Sequence, residues 1–274
     1  AALAKLLLYA GALAGAGAAF AAASLGSRLG SVSSLAPSII RAGAASAILG
    51  ALGHVYFLIQ RLGGDFSAPV LSAVLESPTG AALAFQLIGS LVLIVFTSAR
   101  GIRKHLCVAG GIFTIVSFGI NGHAGSLNLA SGAIAGLHVG AAAWWLGALL
   151  LLWPACGQLA AGDFTGLIRR FSGQAMMVVV GLVAAGVALI LTLVNFSHPD
   201  WFTPYVQLLS LKVALAASVL ALATFNKLSL TPRLRDEDGR AIRGLRRSIV
   251  FEIAIISAVL ATTALLTTYT SPHT

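Results

Sequence analysis

The sequence predicts an all-α, polytopic membrane bundle of about eight transmembrane helices, and three observations carry that prediction. Apolar residues make up 58% of the 274-residue chain and charged residues only 9%, with mean hydropathy +0.95. A soluble domain carries about 25% charged residues. The apolar residues gather into stretches of roughly 20, the length that crosses a hydrocarbon core of about 30 Å. Between them stand short polar breaks with turn chemistry, such as Ser33-Ser-Leu-Ala-Pro37, Gly63-Gly-Asp65, Ser77-Pro-Thr-Gly80, Asn121-Gly122, His198-Pro-Asp200 and Asp236-Glu-Asp-Gly239.

Taken in order, the predicted spans are about 3–25, 38–60, 80–99, 104–121, 131–154, 174–196, 204–227 and 247–269. The first apolar stretch, Leu6 to Leu25, reads as a membrane helix rather than a signal peptide. The breaks leave no room for a soluble domain and no strong internal repeat is visible, so residues 1–274 read as a single integral membrane domain. Gly and Ala are abundant, which suits helices whose backbones approach closely in lipid.

Orientation follows from Lys and Arg. Arg100, Arg103 and Lys104 fall between the third and fourth spans, and Arg169 and Arg170 follow the fifth. Lys227, Arg233, Arg235, Arg240, Arg243, Arg246 and Arg247 follow the seventh. The turns around His123 and His198 and the tail after Tyr269 hold neither residue type. The positive-inside rule then places the three basic segments in the cytoplasm and both chain ends outside. The net charge of +9 is thereby explained by topology and lipid contact, with no need for nucleic acid.

That topology sorts the six histidines. His54, His123, His138, His198 and His273 fall on the outer side, and only His105 on the inner. Imidazole suits Cu, Zn, Fe and Ni, so His54, His123, His138 and His198 form a candidate metal set. His138 lies inside a run with no charge from Ser131 to Cys156, and Trp145 follows it by two helical turns on the same face. An imidazole there needs a partner, because lipid offers none. Each histidine also has a plainer reading, as a polar residue bonded to a neighbouring helix.

Two ionisable residues lie deeper than loops explain, Lys212 in the seventh span and Glu252 in the eighth. Charges at such depth face the bundle interior and pair; Asn226 and Lys227 are within reach of Glu252. Met176 and Met177 are soft donors in principle but fall at the inner start of the sixth span, where core packing is the simpler role. Cys107 and Cys156 lack metal or redox spacing and are expected to stay unpaired. No ATP-binding loop or phosphorylatable Asp motif is present, so active pumping by this chain alone is not expected; the chain is read as a transport protein and not as an enzyme.

The ordered set Gly122-His-Ala124, Leu137-His138, Trp145-Leu-Gly147, Thr203-Pro-Tyr205, Leu211-Lys212, Asn226, Leu230-Thr-Pro232, Arg247-Ser248 and Glu252 resembles the copper resistance protein D family over about residues 115–270. The resemblance implies a bacterial inner-membrane protein that moves copper from periplasm to cytoplasm, often beside a periplasmic copper-binding partner of the CopC type. It implies His123 and His138 as ligands, with Trp145, Tyr205 and Lys212 in support; His54 enters from topology alone. A reading from another class stays open: facing helix-borne histidines ligate haem axially, so His54 and His138 could serve a haem b electron carrier. A scaffold or sensor with structural histidines is the third.

Overall fold

A computed structural model describes residues 1–64, 66–97, 101–121, 127–193, 202–236 and 239–270. It is helical throughout, with no strand among the described residues. The helices are α1 (Ala2–Leu25), α2 (Ala36–Arg61), α3 (Ala68–Glu76), α4 (Pro78–Val95), α5 (Gly101–Ile120), α6 (Leu129–Gln158), α7 (Ala161–Leu193), α8 (Pro204–Phe225) and α9 (Gly239–Tyr269). A 3-10 stretch, Gly26–Leu35, joins α1 to α2, and a π turn, Asn226–Leu230, ends α8.

Local sequence explains the boundaries. Proline stands in the first turn of α2, α3, α4 and α8, where its fixed φ fits and its missing N–H costs nothing. Asn128 Oδ1 accepts the Ser131 N–H at 2.8 Å to open α6, and Thr203 Oγ1 accepts the Val206 N–H at 3.3 Å to open α8.

Six stretches are long and apolar enough to cross a membrane, the first of which, Ala2–Arg61, contains both α1 and α2. The spans expected at 174–196 and 247–269 begin earlier than hydropathy suggests, at Ala161 and Gly239. Their first turns are amphipathic: Phe164, Leu167 and Ile168 are buried while Arg169 and Arg170 are exposed. Arg169, Arg170, Arg243, Arg246 and Arg247 therefore sit on helix ends rather than in loops. The short helix α3 was not expected at all; Ser77, between α3 and α4, donates to the Val74 carbonyl at 2.6 Å.

α1 is the hub. It packs against α2, α5, α6 and α9, and glycine sets its distance from α6. A Cβ built on Gly147 would lie 2.0 Å from the Gly17 carbonyl carbon, and one on Gly17 would lie 1.9 Å from the Ala143 oxygen. Only hydrogen fits at this crossing. The bundle has two distinct ends. At the terminal end, Lys5 Nζ donates to the Thr267 carbonyl and the Tyr9 hydroxyl meets Thr267 Oγ1 at 3.1 Å. At the basic end, Arg170 Nε and Nη2 donate to the Ser24 carbonyl at 2.9 and 2.7 Å, and Trp144 Nε1 donates to the Ser24 hydroxyl at 2.9 Å.

Candidate functional site

The polar groups inside the bundle gather along α6 and the two helices that follow it. α7 packs on α6, and α8 packs on α9. The space framed by the four holds a cavity of about 330 Å³, walled by Trp145 and Leu149 of α6, Phe171 and Met176 of α7, Leu220 of α8 and Ile249 of α9. Asn226, Lys227 and Glu252 supply its polar surface. A neighbouring cavity of about 310 Å³ shares Ile168, Ser172, Lys227 and Thr231 with it and reaches Arg169, at the basic end.

Glu252 is the centre of this wall and is 3% exposed. Its Oε1 accepts from Asn226 Nδ2 at 2.6 Å and its Oε2 from Trp145 Nε1 at 3.3 Å. The expected reach to Asn226 is therefore made. Glu252 stands thirteen residues into α9, roughly 20 Å along the axis, because the helix begins with a basic stretch ahead of the expected span. Asn226 is placed by the π turn: Thr231 donates to its carbonyl through N–H at 2.8 Å and hydroxyl at 3.0 Å. π turns inside helical segments are frequent at functional sites.

Seven residues toward the terminal end, about 10 Å along α6, His138 faces α7. Its Nδ1 lies 3.1 Å from the Leu182 carbonyl oxygen, and a Cβ on Gly186 would lie 3.2 Å from the ring. A carbonyl only accepts, so Nδ1 carries the proton and Nε2 keeps its lone pair. A backbone carbonyl that fixes the tautomer in this way is the usual second partner of a metal-binding histidine. Lys212 of α8, half-buried, is the positive charge that acts on the His138 ring.

The remaining expected site residues are scattered. His54, on α2, is faced by the positive charges of Lys5, Arg61 and the amino terminus. α2 packs on α1 and α4, whereas α6 packs on α1, α5, α7 and α9, so α1 contacts both helices. No group of three or more His, Cys, Asp or Glu side chains could hold a metal among the described residues. His123, His198 and His273 lie outside the described residues. Tyr205 is buried at the start of α8. Met176 lines the cavity, and Met177 is 72% exposed. Cys107 and Cys156 are free thiols. Trp153 is capped by the Arg246 guanidinium 5.1 Å from the ring centroid.

Two features lay beyond sequence reasoning. The Trp145 bond to Glu252 joins residues 107 positions apart, and the Leu182 carbonyl beneath His138 has no side-chain signal. Glu252 and Asn226 could be singled out because each interrupts an apolar run.

Residues 165–266 match the family described as copper resistance protein D. The chain is also 30% identical over 217 residues to the inner membrane protein YebZ of Escherichia coli strain K12, covering 74% of this chain and 72% of that protein. The chain belongs to the copper resistance protein D family. It is a multi-pass inner-membrane protein. No solved structure matches it. The family match is narrower than the 115–270 expected and falls on α7, α8 and α9. Lys212, Asn226 and Glu252 lie within it; His138 and Trp145 lie on α6, outside it.

Proposed function

We propose that this family member is a copper transport protein that binds copper through histidines at its terminal end and moves the ion toward the basic end. The eight long helices are read as eight spans, with the basic end in the cytoplasm by the positive-inside rule and both termini in the periplasm. His138 heads the ligand set, with His123, His198 and His54 as its companions. His54 contributes least, because Lys5, Arg61 and the amino terminus surround it with positive charge. From His138 the ion passes Lys212 and then the level of Glu252, along the face that α7, α8 and α9 present. A periplasmic copper-binding protein of the CopC type is the proposed donor.

The observation that carries this reading is the His138 ring, whose Nδ1–H bond to the Leu182 carbonyl leaves Nε2 as a lone-pair donor inside the membrane. Imidazole in that tautomer is a ligand for copper in either oxidation state. Lys212 beside it disfavours a bare divalent ion and favours a monovalent one or an ion delivered with an anionic ligand. The test is elemental analysis of detergent-purified protein after copper loading. About one copper per chain is expected, with most of it lost in His138→Ala. Full wild-type stoichiometry in that variant would remove His138 from the site, and iron with a Soret band would replace copper by haem.

A further inference from the structure

We infer that Glu252 is a proton-binding site that exchanges with the basic end of the molecule through the cavity it lines, with the Asn226 amide as its two-way partner. Four observations carry this. First, the carboxyl is buried, and both of its hydrogen bonds come from neutral donors, Trp145 Nε1 and Asn226 Nδ2. An ionised carboxylate with no countercharge is costly to hold inside a membrane, and proton uptake is its ordinary escape.

Second, none of the charged groups from the elements packed around it is among its two hydrogen-bond donors. From the π turn, Lys227 is the charged residue that shares the cavity with Glu252. From α7, Arg169 belongs to the adjoining cavity. Arg246 of α9 lies over Trp153, and Lys5 of α1 is bonded to Thr267 near the far end of α9. On α6, His138 stands about two turns from Trp145 toward the terminal end, and on α8, Lys212 stands about four turns from Asn226.

Third, the second atom of the Asn226 amide is idle. Asn226 is 6% exposed and its Oδ1 has no partner among the described residues, although buried polar atoms are ordinarily paired. With Glu252 ionised, the amide N–H donates to the carboxylate, as observed. With Glu252 protonated, the new O–H needs an acceptor. A half-turn of the amide brings Oδ1 to it, one hydrogen bond replacing the other. The same two residues thus satisfy both protonation states.

Fourth, the cavities lie in sequence toward the basic end. The cavity of about 330 Å³ is far larger than one water needs, and Lys227 and Thr231 link it to the second cavity at the basic end. The proton adds to one carboxylate oxygen and leaves by the same path, so the step needs no further reactant. A carboxyl that takes and releases a proton here, on the face along which copper is proposed to move, would let proton movement accompany ion movement.

The test is infrared difference spectroscopy of the metal-free full-length protein in lipid nanodiscs, titrated between about pH 5 and pH 9, the range open to a buried glutamate. Because copper is absent, the result is independent of the transport reading. A protonated-carboxyl carbonyl band that grows as pH falls, and is missing in Glu252→Gln, is expected. Trp145→Phe removes a donor that bonds the ionised carboxylate more strongly than the neutral carboxyl, so it should move the band's midpoint upward by about one pH unit. This variant keeps the test decisive should the Gln variant fold poorly. Absence of any titrating carboxyl band, or a band that persists unchanged in Glu252→Gln, would overturn the proposal.

Discussion

The first and last parts of this bundle are built on different terms. In the Ala2–Arg61 segment 56% of the most apolar window is buried inside the protein, whereas in α7 the corresponding share is 0% and in the α8 segment 6%. Both regions are apolar enough to span a membrane, yet one uses glycine and alanine to bring backbones together and the other turns long side chains outward. Lipid removes the usual hydrophobic reward for helix association, so close packing needs small residues. α1 has them at Gly11, Gly15 and Gly17, each within contact of a neighbouring backbone. Gly173 and Gly181 of α7 have nothing within 4 Å of a built Cβ. The tight part is a frame, and the family's matched residues and the polar groups lie mostly on the loose part.

This contrast can be broken most severely at the α1–α6 crossing. Gly147→Ala places a methyl carbon 2.0 Å from the Gly17 backbone, and the helices must separate. A loss of about 3 kcal/mol or more is expected in a denaturant titration followed by helicity. The matched change in the loose region, Gly181→Ala, should leave stability unchanged or raise it by up to about 1 kcal/mol through helix propensity. Equal costs at the two positions would mean that the frame is no tighter than the rest.

A small loss is expected at a side chain that ties the loose region to the frame by two bonds. Arg170 donates twice to the Ser24 carbonyl but is exposed, so Arg170→Ala should cost only about 0.5–1 kcal/mol. Limited proteolysis near Ala161 should accelerate accordingly. A cost of several kcal/mol would show that α7 depends on this anchor rather than on its packing against α6.

The same contrast explains what was legible in the sequence. Apolar runs of 20 residues announce helices whatever they pack against, so each expected span falls on a helix, and all but the one on α5 fall in stretches long and apolar enough to cross a membrane. Their ends were less readable. Hydropathy counts Asp163, Arg169 and Arg170 as loop, but a helix continues through them because Phe164, Leu167 and Ile168 repeat at helical spacing and bury one face. Glu252 and Asn226 announced themselves as polar residues in apolar runs, and their pairing follows from the cost of leaving either unsatisfied. The third member, Trp145, was read as packing near His138; its bond to Glu252 depends on how α6 and α9 are brought together around α1. His138 was legible as a residue needing a partner, while the partner, a main-chain carbonyl on α7, carries no side-chain signature. His54 and His138 share a predicted side of the membrane, yet their helices have only α1 as a common α-helical neighbour and otherwise pack against different α-helices, which hydropathy does not encode.

The proposed transport makes His138 the point at which copper would enter the loose region. The most direct measurement is copper entry into lipid vesicles holding the purified protein, with the ion supplied at the terminal end and a copper-sensitive chelating dye trapped inside. Wild-type protein is expected to load the dye, and His138→Ala to lose at least about ten-fold in rate, the effect of losing roughly 1.4 kcal/mol of ion binding at a required step. Equal rates for the two proteins, at equal amounts in the vesicles, would contradict the account.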